Sequence, residues 1–290
     1  MGCCKAEEHE LFAWCQEIKD VQMVEFEGKE YCIFHAPAEC PEKQDVEGFN
    51  KKVFERINAV NRFNIGNDED NDCSLRGTIF LHDICFTKYS GKKCFPSIDF
   101  SYARFYGYVS FANVAFSGPA HFRGAKFFKR AIFKSAIFQK RVYFGKADFK
   151  DEVDFGGALF LDLTFFKETK FTKAAFKDVE FQKQAYFRDN ALGIASFEDS
   201  RGLEMLVFEG VHLEGVSLLK SPIESFRFID CHWPEKLGRT IVFDEFSYTG
   251  FRGSKNWSDS LPGQLADLYR RLKKNSDDRT RPFYGRQVAL

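Results

Sequence analysis

The sequence predicts an all-β solenoid, a chain of short strands wound around a column of phenylalanine rings, and three observations lead there. Phenylalanine recurs at 111, 116, 122, 127, 133, 138, 144, 149, 155 and 160, at spacings that alternate five and six residues. Two residues before each ring stands a small or β-branched residue: Val109, Val114, Ala120, Ala125, Ala131, Ala136, Val142, Ala147, Val153 and Ala158. Phenylalanine is also in excess, at 36 of 290 residues. That excess is expected if every coil adds several rings to one stacked core.

An eleven-residue apolar period is also the signature of a right-handed helical supercoil, and geometry separates the two. At about 98° per residue, Phe111, Val114, Phe116 and Ala120 would spread over more than half of a helical cylinder, and no stripe would form. In an extended chain, residues two apart share a face, so Ala131 and Phe133 enter one interior while Ile132 faces out. Gly118-Pro119, Gly124, Gly145 and Gly156-Gly157 would penalise a helix and suit corners between strands. Four sides of alternating five and six residues close a coil of 22. Positions 22 apart would then stack, where like charges are disfavoured. Lys126/Asp148, Lys129/Asp151, Arg130/Glu152, Lys140/Asp162 and Lys146/Glu168 are all opposite in sign.

With these triplets the chain resembles the pentapeptide-repeat proteins, in the Phe-centred variety, over roughly residues 76–228. The resemblance implies a right-handed quadrilateral β-helix with phenylalanine as the central inward residue and Ala or Val two before it as the second. Many members have five-residue sides throughout, so the sixth residue at alternate sides is a departure that bears on coil shape.

Taken in order, the chain divides into a small Cys/His segment (1–44), a capping helix with an acidic loop (45–75), the repeat solenoid (76–228) and a tail with a second amphipathic helix (229–290). In the first segment, Cys32-Ile33-Phe34-His35 places a thiol and an imidazole on one turn. With two further thiolates that pair would close a tetrahedral zinc site. The set taken is Cys4, Cys15, Cys32 and His35, with Cys3 as the alternative to Cys4 and Cys40 as a spare; ordinary buried or free thiols are the competing reading. The phrase Tyr31 to His35 also resembles that of family members that open with a short metal-finger-like segment, which implies one structural zinc.

Apolar residues at 49, 53, 57 and 60, opposed by Glu47, Lys51, Lys52, Glu55 and Arg56, predict an amphipathic helix over 45–63. It would cover the open end of the solenoid core. The acidic run Asp68, Glu69, Asp70, Asp72 fails as a calcium loop, because Cys73 stands where glycine is needed and Ile79 where glutamate is needed. Repeats start irregularly at Ile79-Phe80 and Ile84-Cys85-Phe86, and an insertion at 87–94 with Lys88, Lys92 and Lys93 is the loop best placed for recognition. After Phe160 the spacing drifts through Phe165 or Phe166 to Phe208 and ends on Leu213 and Leu218. In the tail, Pro262, Leu265, Leu268, Tyr269 and Leu272 define an amphipathic helix, with Arg270, Arg271, Lys273 and Lys274 near its C-terminal end. Leu268 to Asn275 resembles the phrase that follows the repeats in larger members, where the chain continues into a membrane-associated part.

Composition narrows the function. Forty-two basic and 42 acidic residues cancel, which argues against a generally nucleic-acid-seeking protein. Nine cysteines, an odd number, and no charged-then-apolar leader argue against a secreted disulfide framework. No stretch approaches the ~20 apolar residues that span a bilayer. The expected location is cytoplasmic, with membrane association only through a partner or in longer relatives. No phosphate-binding glycine loop, His-Glu-x-x-His or Gly-x-Ser-x-Gly occurs, so an enzyme is not expected. His121 and His212 fall at outward positions expected to be solvated.

The expectation is therefore a non-catalytic scaffold that presents its faces to an unidentified protein or membrane-proximal partner. The alternative is a nucleic-acid role. Residues 121–150 carry nine Lys or Arg against one Asp, a pattern that can bind phosphate backbone. Some pentapeptide-repeat proteins imitate DNA and protect topoisomerases, which asks for an acidic rod. Residues 111–200 hold 15 basic and 11 acidic side chains, which disfavours mimicry.

Overall fold

The phenylalanine column closes into a four-sided parallel β-solenoid of about seven turns in the computed structural model. The structure describes residues 3, 5, 10–18, 21–61, 73–89, 94–202, 206–250 and 261–277. One face stacks eight strands from Cys73–Ser74 to Phe226–Ile229, and the adjoining face, which precedes it in each coil, stacks six from Cys94–Phe95 to Arg201–Gly202. The remaining two faces, consecutive in each coil, merge into one ten-stranded sheet, because Asp148–Asp154, Lys170–Ala175 and Ala191–Ser196 run through the corner they share unbroken.

Register follows the repeat. Ala120 pairs with Val142, Lys126 with Asp148, Ala131 with Val153 and Ile137 with Leu159, each 22 residues on. The alternation of five and six has a local cause. At one pair of corners the second residue after the phenylalanine is left-handed (Asn113, Gly124, Ser135, Lys146, Gly157). The chain there closes a tight turn, as in Ala125 N–H to Phe122 O at 3.1 Å and Ala136 N–H to Phe133 O at 3.0 Å. Those corners take five residues; the other pair turns more gently and takes six. The coil then shortens. Val153 pairs with Ala174 and Thr164 with Ala185, 21 residues on, and Leu206 pairs with Phe226, 20 on. The first coil is longer, with Cys73 opposite Ile98. It contains a helical turn at Phe86–Tyr89, and Lys92 and Lys93 of the expected recognition loop lie outside the described residues.

Inside, the rings form columns. Phe86, Phe111, Phe133, Phe155, Phe176 and Phe197 stack face to face at 4.4, 5.0, 5.0, 5.0 and 4.7 Å. Rings of neighbouring columns meet edge to face, as Phe133 does with Phe122 at 5.4 Å and Phe144 at 5.5 Å. Both arrangements suit the ring quadrupole. The ambiguity after Phe160 resolves by the same rule. Phe166 is buried and stacks on Phe144 at 5.1 Å, whereas Phe165 lies outside against Tyr143.

Outside, Arg130 reaches Glu152 at 3.1 Å and Lys146 reaches Glu168 at 3.4 Å, as the 22-residue stacking predicts. Lys126 lies over Asp148, whose carboxylate takes Lys150 instead at 2.8 Å. Asp151 and Asp162 accept the backbone N–H of Glu152 and Leu163, and neither closes its expected ion pair with Lys129 or Lys140.

Where the coil tightens, side chains no longer fit. A Cβ on Gly215 would lie 1.6 Å from the carbonyl oxygen of Gly193. Backbone cannot yield as a side chain does, so Gly215→Ala is expected to cost about 1–3 kcal/mol or more, measured by urea unfolding.

Helices cover both ends. Helix α1 (Val46–Asn61) buries Phe49, Val53, Phe54 and Ile57; Phe49 meets Phe80 at 5.8 Å and Phe54 meets Phe86 at 5.6 Å. The acidic run 68–72 lies outside the described residues. At the other end, helix α2 (Phe243–Gly250) presents Asp244 to Ser217 Oγ at 2.6 Å and Leu218 N–H at 2.8 Å. Helix α3 (Leu261–Asp277) buries Leu261, Leu265, Leu268 and Leu272. Its apolar face is thus spent within the fold. No described helix is long and apolar enough to cross a membrane.

Helix α3 is pinned by Arg271, which donates to both carboxylate oxygens of Glu224 at 2.7 and 2.8 Å. The Arg271 hydrogen bonds hold the Glu224 carboxyl down at about 2, against an ordinary 4.5. The folded value is the lower one, so this stabilisation is complete above pH 4.5 and fades as pH falls from there toward 2. Amide protection of α3 in wild type should decline over that window relative to Glu224→Gln, which should show no such difference from its own neutral-pH value.

Candidate metal centre

The N-terminal segment brings four donor atoms to one point. A 3-10 helix (Glu10–Glu17) carries Cys15, and the hairpin of β1 (Met23–Phe26) and β2 (Lys29–Cys32) ends on Cys32. Past the hairpin the chain turns back, with the N–H groups of His35 and Ala36 both bonded to Cys32 O at 3.0 and 2.9 Å. That turn swings His35 beside Cys32. Cys3 completes the group, and the ligand atoms of Cys3, Cys15, Cys32 and His35 all lie within 4.8 Å of one another, buried. Cys4 lies outside the described residues, and Cys40 points elsewhere, its thiol donating to Glu42 at 2.9 Å.

The donor set fits zinc. Tetrahedral bonds of about 2.3 Å to sulfur and 2.0–2.1 Å to nitrogen set sulfur–nitrogen edges of about 3.5 Å. His35 Nδ1 stands 3.3 Å from Cys32 Sγ and 3.6 Å from Cys3 Sγ. Its other nitrogen, Nε2, donates to Arg76 O at 2.8 Å, which leaves Nδ1 free to face the sulfurs. This is the backbone support that metal-ligating histidines commonly use. The four groups also perturb one another's protonation. Hydrogen bonds from Cys15 and Cys32 pull Cys3 well below the usual thiol range, while contacts with Cys3 and Cys32 push Cys15 far above it. Three buried thiols cannot all ionise side by side without a cation. Burial alone would lower His35, but its contacts with Cys3 and Cys32 outweigh it and raise the imidazole to about 9.

The site is joined to the first coil. Arg76 O receives Trp14 Nε1 at 3.1 Å as well as His35, and Arg76 itself is paired with the buried Asp99 at 2.5 Å. Phe34 O accepts the N–H of Ile79 at 3.0 Å and the ammonium of Lys43 at 3.0 Å; Lys43 also donates to Ile79 O at 2.7 Å and sits 4.3 Å from the Phe49 ring centre. Burial lowers Lys43 to about 7, opposed by the charge of Cys32. Lys43 was not singled out by the sequence, since a lysine eight residues past the finger carries no pattern.

The histidines expected to be solvated are not isolated. His121 stacks on Tyr143 at 4.8 Å, and exposed His212 stacks on His232 at 4.4 Å and meets Glu214 at 3.4 Å. In comparison with known proteins, residues 100–148 match the family model of pentapeptide repeats (9 copies). No curated protein matches the chain.

Proposed function

This chain is a pentapeptide-repeat β-solenoid, and from that premise we propose that it is a non-catalytic interaction scaffold whose N-terminal end is held closed by one structural zinc on Cys3, Cys15, Cys32 and His35. The observation that carries the reading is how the side chains are used. Inward positions are filled by stacked rings, while outward positions carry mixed charge that pairs from coil to coil (Arg130–Glu152, Lys173–Glu152, Lys220–Glu198). Such a surface is neither an acidic DNA mimic nor a continuous basic groove. The strongly shifted groups outside the finger, Glu224 and Tyr269, each hold an end helix in place. Zinc would supply a cross-link and charge neutralisation: three thiolates and one divalent cation carry one net negative charge, which the nearby Lys43 balances.

The test is affinity capture from the source cell with and without nuclease treatment. A protein partner recovered equally under both conditions is the expected result. Recovery that disappears with nuclease would replace the scaffold by a nucleic-acid role.

A further inference from the structure

We propose that an outward column of rings on the eight-stranded face, His121, Tyr143, Phe165 and Tyr186, is a docking stripe for an acidic, partly apolar peptide segment of a protein partner. This rests on the scaffold reading and specifies its surface. The four residues are register neighbours on successive coils. Their rings stack at 4.8, 5.2 and 5.5 Å, within 8° of parallel, and all four are partly exposed. They are separate from the inward columns and add nothing to the core. The equivalent outward column on the adjoining face reads Arg104, Lys126, Asp148, Lys170. That polar column is what a solvated face requires; the aromatic one is not.

The charges beside the stripe choose the occupant. Arg141 lies two residues before Tyr143 and so leans to the same face, Arg123 opens the turn that follows His121, and both are exposed with no ion pair among the described residues. Further along, Lys167 is held by Glu168 at 3.6 Å and Arg188 by Glu209 at 2.6 Å, while Asp162 is turned onto the backbone of Leu163. Uncompensated positive charge therefore sits at the His121–Tyr143 end. Guanidinium groups read carboxylates well. Nucleic acid fits less well, because each ring face is already covered by the next ring. Only ring edges are offered, and bases need faces; aliphatic and aromatic side chains can pack on edges.

The experiment is selection of a displayed random dodecapeptide library on the full chain, counter-selected on Tyr143→Thr/Phe165→Thr, whose β-branched replacements suit a strand. Selected peptides, labelled with fluorescein, are then measured by anisotropy against wild type, that variant, Arg123→Glu/Arg141→Glu and a thymidine oligonucleotide competitor. Enriched peptides should interleave Asp or Glu with Leu, Ile or Phe. They should bind each variant at least about tenfold more weakly, and the arginine variant keeps the test open if the threonine variant does not fold. Peptides insensitive to both variants would overturn the stripe while leaving a scaffold with another binding face. Absence of acidic enrichment, or displacement by the oligonucleotide, would overturn it as well.

Discussion

Replacing Phe133 with alanine is expected to destabilise the protein by about 3–5 kcal/mol, read from urea unfolding. Phe133 is fully buried, lies between Phe111 and Phe155 at 5.0 Å on either side, and touches Phe122 and Phe144 by its edges. Neighbouring rings are held by their own strands and cannot collapse into the space, so the loss combines transfer energy with a cavity. Lys134→Ala, one residue on and exposed, should change stability by no more than about 0.5 kcal/mol. The contrast between adjacent positions is what an extended, inward–outward chain requires and a helix would not produce.

Cys32→Ser is expected to have the second large effect, and a local one. A structural zinc contributes about 10–16 kcal/mol in small finger peptides, more than a short hairpin and one 3-10 helix can supply by themselves. The variant should therefore lose amide protection across 23–36, where the hairpin and the His35 turn lie. Residues 111–160 should keep theirs, since each coil rests chiefly on its neighbours. A chelator strong enough to strip zinc from wild type should reproduce the same pattern. Uniform loss across the whole chain would mean that the finger is not a separable cap.

Much of the solenoid can be read from the sequence because its period is enforced by one residue type. The triplet Ala131-Ile132-Phe133 already states which side chains enter, and the 22-residue step already places Phe166 over Phe144. Less legible is why sides alternate. The left-handed residues at the tight corners include Asn113, Ser135 and Lys146 as well as Gly124 and Gly157, so no single residue type marks the turn. Shortening of the coil to 21 and then 20 residues likewise leaves no local signature, because it removes a corner residue and adds none.

At the candidate metal centre, Cys15, Cys32 and His35 stand in patterns that invite a ligand reading. The choice between adjacent Cys3 and Cys4 depends on how the first residues fold back, which no spacing encodes; among the described residues it is Cys3 that joins the group. The aromatic stripe was within reach of the same arithmetic, since His121, Tyr143 and Phe165 are 22 apart. It is obscured because an outward ring reads as a solvated one until its neighbours on the next coils are also rings.

The proposed zinc at the N-terminal end is tested most directly by metal content, measured by mass spectrometry on the full chain purified without a metal-affinity tag. One zinc per chain in wild type, and none in Cys32→Ser, is the result the four converging donors predict. A folded wild-type chain that carries no metal, with the amides of 23–36 still protected, would show that Cys3, Cys15, Cys32 and His35 are packed as thiols and imidazole alone.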